Sequence, residues 1–304
     1  SFDAIDLIQV VVSPYDVTLG GFAGGGISAV TKSGTNNLEG SAYYFNQNES
    51  LAGSTNSLLT ERTGAEAEKL DEFSQNLYGL SLGGPIVKDK VFFFFNGEIQ
   101  RDETPVPFDF GTYLGDASEA DLNNLRNELI SRFGYDPGQF GSKADQLDGT
   151  RLFGKLDFNL SDATKLTVRH QYTKAEQLNV NGSGQRTINF ENNGVFFPSV
   201  TTSFATELNT MFGSKASNNL VIGITTVRDD RDPIGGDFPF LTIYDGNDGT
   251  LRIGSEQFST ANILDQDVIT LTTKYKIFKG KNTFTIGTHN EYSSFRNLFI
   301  RQNF

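Results

Sequence analysis

The chain has 304 residues, with 37 Asp and Glu against 25 Lys and Arg and a formal net charge of −12. That acidic balance excludes most nucleic-acid binders, which need a basic footprint to displace counterions from phosphates. The absence of Cys and the presence of only 2 His exclude disulfides, thiolate sites and a His-based zinc centre.

The first forty residues read as a small β-unit. Ile8–Val12 is a short apolar run, Ser13–Asp16 is a turn, and Gly20–Gly26 is glycine-rich apart from Phe22 and Ala23. Ile27–Lys32 is a second short strand, followed by the polar stretch Ser33–Asn37. Gly24, Gly25 and Gly26 have a structural reading, a close passage of backbone past a neighbouring element. No Gly-Lys-Ser/Thr follows them and no helix begins there, so they do not form a phosphate cradle.

From Leu38 onward period-two alternation dominates. Leu152, Leu156, Phe158 and Leu160 share a face opposite Phe153, Lys155, Asp157 and Asn159; Leu166, Val168, His170 and Tyr172 repeat the pattern. Phe204, Leu208 and Phe212 oppose Glu207, and Ile269, Leu271 and Tyr275 oppose Lys274. Such alternation marks strands with one apolar and one polar face. Nine strands are expected, near 38–47, 76–83, 91–103, 151–160, 165–177, 200–213, 219–230, 266–277 and 282–296. Most exceed the ~5–6 residues usual in soluble domains and reach the ~9–11 needed to cross a bilayer at a tilt. Their connections alternate strictly between long and short, the pattern of a membrane barrel with tight turns on one side and extended loops on the other. Mean hydropathy of −0.33 is compatible with this, because inward polar residues offset outward apolar ones. The longest apolar run, Val91–Phe95, is too short for a membrane helix. In the segment 91–103, Phe93, Phe95 and Ile99 share one parity while Phe94, Asn96 and Glu98 share the other. An apolar start facing both ways implies a strand whose lower end is covered by protein and whose upper end faces a wet lumen.

The connection 104–150 carries eight acids and three bases and the one clear helix. Ser118 is its N-cap with Asp121 completing a capping-box variant, Leu122, Leu125, Leu129 and Phe133 form its stripe, and Gly134 suits the C′ position. It reads as a loop packed by its own helix. Asp245, Asn247, Asp248, Gly249 and Glu256 have a weak calcium-loop spacing, against which an ordinary Asp/Asn/Gly turn is the better reading. Tyr43, Tyr44, Phe45, Tyr275, Phe278, Tyr292 and Phe295 near strand ends read as interfacial girdles. No catalytic constellation appears: His170 and His289 stand on different strands without a nucleophile motif, and the carboxylates are scattered. The enzyme reading is therefore rejected.

Two segments carry a family resemblance. "VVVSPYDVTLGGFAGGGISAVTKSGTNNLEGSAYYF" resembles the end of the plug and the first wall strand of a TonB-dependent outer-membrane transporter. "GGPIVKDKVFFFFNGEIQRDETP" resembles the second hairpin of the Oar-like branch of that family. Gly25, Gly26, Ile27, Thr31 and Lys32 match the family's pattern in the plug's final strand. The resemblance implies an all-β fold, a transmembrane antiparallel β-barrel represented by about nine strands of a larger, about 22-stranded one. Residues 1–37 would be the C-terminal part of the plug, and 38–304 the first strands and extracellular loops. It further implies a Gram-negative outer-membrane location, a TonB-type energy-transducing partner, outer-membrane lipid around the wall, and a surface lipoprotein as a further candidate partner. Lys155, Asp157, Arg169, Glu207, Lys274 and Glu291 would hydrate the lumen and hold the plug. Substrate-binding residues stay unassigned. Two other readings are a non-transporting outer-membrane adhesin or structural barrel, and a soluble carbohydrate-binding module.

Overall fold

The computed structural model describes residues 1–12, 25–54, 61–64 and 69–301. Strands β1 (Ile5–Val12) and β2 (Gly25–Thr31) form an antiparallel pair of their own. Among the described residues nine further long strands make one antiparallel sheet. They are β3 (Glu39–Asn48), β4 (Ser74–Val87), β5 (Val91–Val106), β6 (Lys143–Ser161), β7 (Thr164–Asn179), β9 (Val195–Phe212), β10 (Ala216–Pro233), β13 (Ala261–Lys279) and β14 (Asn282–Ile300). Each is hydrogen-bonded to its sequence neighbour among these nine, in an unbroken meander from β3 to β14. All nine expected strands are present, several extended by up to eight residues at the end next to a long loop.

The four short turns lie together at one end of the sheet. Left-handed residues close three of them, Asp89 (φ 62), Gly213 (φ 59) and Gly280 (φ 62), as tight hairpins require. At the other end the long connections fold further. A single helical turn, α1 (Glu49–Ala52), follows β3, and helix α2 (Glu119–Phe133) lies between β5 and β6. Short strands β8 (Ile188–Asn189), β11 (Leu241–Asp245) and β12 (Gly249–Ile253) join into a three-stranded sheet, with β12 parallel to β8.

Pairing fixes which residues share a face. One cross-strand row runs Tyr43–Gly79–Glu98–Arg151–Thr173–Thr201 and the next Ser41–Ser81–Asn96–Phe153–Gln171–Ser203. The opposite face carries Leu80, Phe95, Leu152, Leu156, Phe204, Ile222, Ile269 and Leu271, all exposed. A sheet that turns polar rows inward and leaves Leu, Ile and Phe uncovered outward is built for a hydrocarbon surround, since water would draw such a face into aggregation. The segment 91–103 behaves as its pattern implies: Phe94 is buried against Ala4 and Phe153, while Asn96 and Glu98 continue the same face in polar surroundings.

Candidate functional site: the inner face and its outer cap

The N-terminal unit sits against the polar face of β3–β6. Ala4 packs with Phe94 and Phe153, and around this small apolar contact lies a hydrogen-bonded rim. Asp3 pairs with Lys32 (3.2 Å) and accepts from the Ser41 hydroxyl (3.0 Å), which also contacts Ser81 (2.8 Å). Hydrogen bonding from Ser81, then Ser41 and Lys32, holds the Asp3 carboxyl below its usual 3.8 despite partial desolvation. Lys155, one of the residues expected to hold the unit, donates to the Thr31 carbonyl at 3.3 Å.

Beside this contact is a charged row whose geometry depends on a glycine. Tyr43 on β3 donates to Glu98 on β5 (2.8 Å), reaching across β4 at Gly79, where a Cβ would meet the Tyr43 ring. Arg151 donates to the other Glu98 oxygen (2.7 Å) and to Gln100 (2.8 Å). Glu98 is only 6% exposed, so both oxygens need these donors. Tyr43 therefore points inward, not to the bilayer interface; Phe45 shares its parity, and the two rings lie 5.4 Å apart. Tyr44 does face outward, stacked on Tyr78 at 4.8 Å. The girdle expected at all three positions holds for Tyr44 alone, because inward and outward residues alternate through a strand end as strictly as through its middle.

Of Gly24–Gly26, expected to pass close to a neighbouring element, two are described. Gly24 lies outside the described residues. Gly25 and Gly26 open β2 opposite Val12 and Val11; a Cβ on Gly26 would meet nothing, and one on Gly25 would stand 3.2 Å from the Val11 carbonyl oxygen and 4.0 Å from the Val12 Cα. The tight position is Gly34, where a Cβ would stand 2.2 Å from the Phe93 carbonyl oxygen and 2.7 Å from that of Gly84. There the chain leaves the inner unit and runs along the wall beside the β4–β5 turn. Of the other lumenal residues named from sequence, Asp157 bonds Thr167 (2.7 Å), and Glu207 accepts from Asn219 (2.7 Å). Arg169, Lys274 and Glu291 share the inner face by register.

At the far end the loops 107–142, 180–194 and 234–260 fold into one cap with a core of its own. Leu122 and Leu129 from α2, Ile188 and Phe190, and Leu251 and Ile253 are buried together. Tyr135 stacks on Phe238 with centroids 3.7 Å apart. The helix begins and ends where its sequence indicates: Ser118 and Asp121 make a reciprocal capping box and Gly134 is left-handed (φ 65). It packs against residues of its own loop, among them Phe110, Tyr113 and Phe140, and against the other two loops as well, while Phe133 stays exposed. Lys143 ties the cap to the wall by donating to the carbonyls of Val180, Asn181 and Asn189. Asp245 is part of this framework: one oxygen accepts from the Tyr113 hydroxyl (2.9 Å) and the Ala117 amide (3.0 Å). Desolvation, then the hydrogen bond to Asp245 and the Asp245 charge, raise the Tyr113 pKa. Glu256 instead accepts from Phe258 and Ser259, so the calcium-loop spacing resolves into two unrelated acceptors. Among the described residues no cluster of three or more His, Cys, Asp or Glu is placed to hold a metal.

A capped sheet with a polar inner face and an apolar outer face has the fold of part of an outer-membrane β-barrel. Residues 30–137 match the family model of the outer membrane beta barrel domain. The chain is similar to the TonB-dependent transporter Oar of Myxococcus xanthus, with 33% identity over 96 residues, which is 31% of this chain and 9% of that protein. Its fold is similar to that of the outer membrane transporter YddB from Escherichia coli (TM-score 0.63, 15% identity, 95% of this chain and 35% of the other). The siderophore receptor PirA from Acinetobacter baumannii is also similar (TM-score 0.58, 16% identity, 96% and 35%). The chain thus spans about a third of the length of these structures.

Proposed function

We propose that the chain is the end of the plug, residues 1–37, and the opening wall, residues 38–304, of a TonB-dependent outer-membrane transporter. Ligand would be captured at the outer end, and a TonB-type partner would drive the inner unit so that ligand passes between it and the wall. The observation that carries this reading is the docking of the N-terminal unit on the wet face, through a contact that is mostly polar. Hydrogen bonds there can exchange with water at little net cost, about 0.5–1.5 kcal/mol each, so the unit can be released without exposing a large core.

The test uses an introduced Cys pair, these 304 residues having no Cys of their own. Replacing Asp3 and Ser41, whose side chains touch at 3.0 Å, by Cys allows the unit to be tethered to the wall. In the complete polypeptide the tether should stop uptake while leaving surface binding intact, and reductant should restore uptake. Uptake unaffected by the tether, or by loss of the TonB-type partner, would leave an adhesin or structural barrel as the better description.

A further inference from the structure

Directly beneath the cap the inner face holds a cavity of about 700 Å³. The outer ends of β7, β9, β10 and β13 form its wall, and loop residues Asn181, Gly182 and Glu256 border it. Four charged side chains line it, Asp145, Asp229, Arg231 and Glu256, an excess of acid. Two are occupied within the fold: Asp145 accepts from the Val180 amide (2.8 Å), and Glu256 from Phe258 and Ser259. The other two keep unpaired polar atoms. Among the described residues the Asp229 carboxylate has no hydrogen bond or ion pair, and its Oδ1 is buried. Arg231 makes one ion pair, a long one to Glu256 (3.9 Å), and its Nε is buried and unpaired.

Asp229 and Arg231 are two residues apart on β10, hence on the same face and about 7 Å apart along the strand. Leu264 and Asn262 stand beside them in register. An unpaired carboxylate and a guanidinium held by a single long ion pair, at fixed spacing, select a ligand that carries both charges. A ferric catecholate is a polyanion and would meet the acid excess; a neutral glycan would leave both charges unpaired. A two- or three-residue peptide spans about 7–10 Å when extended and ends in an ammonium and a carboxylate. Its amide groups match Asn179 and Asn262, and Phe197 and Leu264 offer apolar surface to its side chains.

We propose that this cavity captures short peptides by their ends: the Asp229 carboxylate accepts from the terminal ammonium, and the Arg231 guanidinium donates to the terminal carboxylate. The proposal rests on the transport reading and names its ligand class. The test uses the complete polypeptide in detergent and three random tripeptide pools: free at both ends, N-acetylated, and C-amidated. Bound peptide is measured by mass spectrometry. The free pool should be retained at least about tenfold better than either capped pool, since each cap removes a charge-assisted hydrogen bond. Asp229→Asn should erase discrimination against the acetylated pool only, and Arg231→Gln against the amidated pool only. Equal retention of all pools overturns the proposal, as does unchanged discrimination in both variants or preferential binding of a ferric catecholate. Detergent binding needs no energy source, so the two readings separate. Peptide binding with uptake independent of the TonB-type partner would sink transport alone; partner-dependent uptake without peptide binding would sink the ligand class alone.

Discussion

Replacing Gly34 by Ala tests how the inner unit leaves the lumen. The added methyl would lie 2.2 Å from the Phe93 carbonyl oxygen, 2.7 Å from the Gly84 oxygen and 2.9 Å from the Gly84 nitrogen. All three are backbone atoms of β4 and β5, held by the ladder that pairs Gly84 with Phe93, so none can swing aside as a side-chain tip would. Relief must come from Gly34 moving off the wall, and overpacking of this kind costs about 1–3 kcal/mol. With a tenfold change per 1.4 kcal/mol, the docked population should fall by about five- to 150-fold relative to undocked. Gly26→Ala is the control, because a Cβ there meets nothing within 4 Å. The assay is amide hydrogen exchange of residues 1–12 and 25–37 in detergent, with exchange in β5 and β6 as the internal reference. Gly34→Ala should accelerate exchange across the unit with the wall unchanged, and Gly26→Ala should do neither. Equal behaviour of the two variants would refute the close-passage argument and return that role to the glycine run before β2.

Two further outcomes follow from the same geometry. Phe190 is 0% exposed in the cap core, so Phe190→Ala should destabilise the cap by about 3–5 kcal/mol; limited proteolysis should then cut the loops 107–142, 180–194 and 234–260 while the barrel melting temperature holds. Because docking holds the Asp3 carboxyl below 3.8, its contribution is complete at pH values above that and is lost as pH falls through the lowered value. Proteolytic release of the unit should therefore rise at acid pH, and Asp3→Asn should flatten that part of the profile.

What the sequence made legible was whatever the bilayer imposes locally. Alternation of Leu152, Leu156 and Leu160 with Lys155 and Asp157 is a direct record of lipid on one side and water on the other, and every such strand is found. The record stops where the bilayer stops. Residues 143–150 pair fully with β5, yet Lys-Ala-Asp-Gln-Leu-Asp-Gly-Thr shows no alternation, because above the membrane neither face must be apolar. The cap was illegible for a different reason: Leu122, Ile188 and Leu251 belong to three separate loops, and nothing local says that they meet. Helix α2 was readable from its capping box and stripe, but not its partners. Inward Tyr43 was misjudged because the space it fills is created by Gly79 on the next strand.

The two ends of the lumen are held together by opposite means, and this fits the proposed division of labour. The inner unit contributes Ala4 to a three-residue apolar contact and otherwise meets the wall through polar contacts such as Ser1–Tyr43, Asp3–Ser41 and Lys155–Thr31. The cap buries six apolar side chains and crosses three loops with backbone and side-chain bonds, including those of Lys143. Apolar burial yields roughly 1.5–3 kcal/mol for each large side chain, and no solvent bond replaces it on opening; a polar contact gives about 0.5–1.5 kcal/mol net and is readily exchanged for water. A pull applied from the short-turn side would therefore free the inner unit well before it disturbed the cap. The peptide cavity, roofed by the durable element, would keep its geometry while the path beneath it opened.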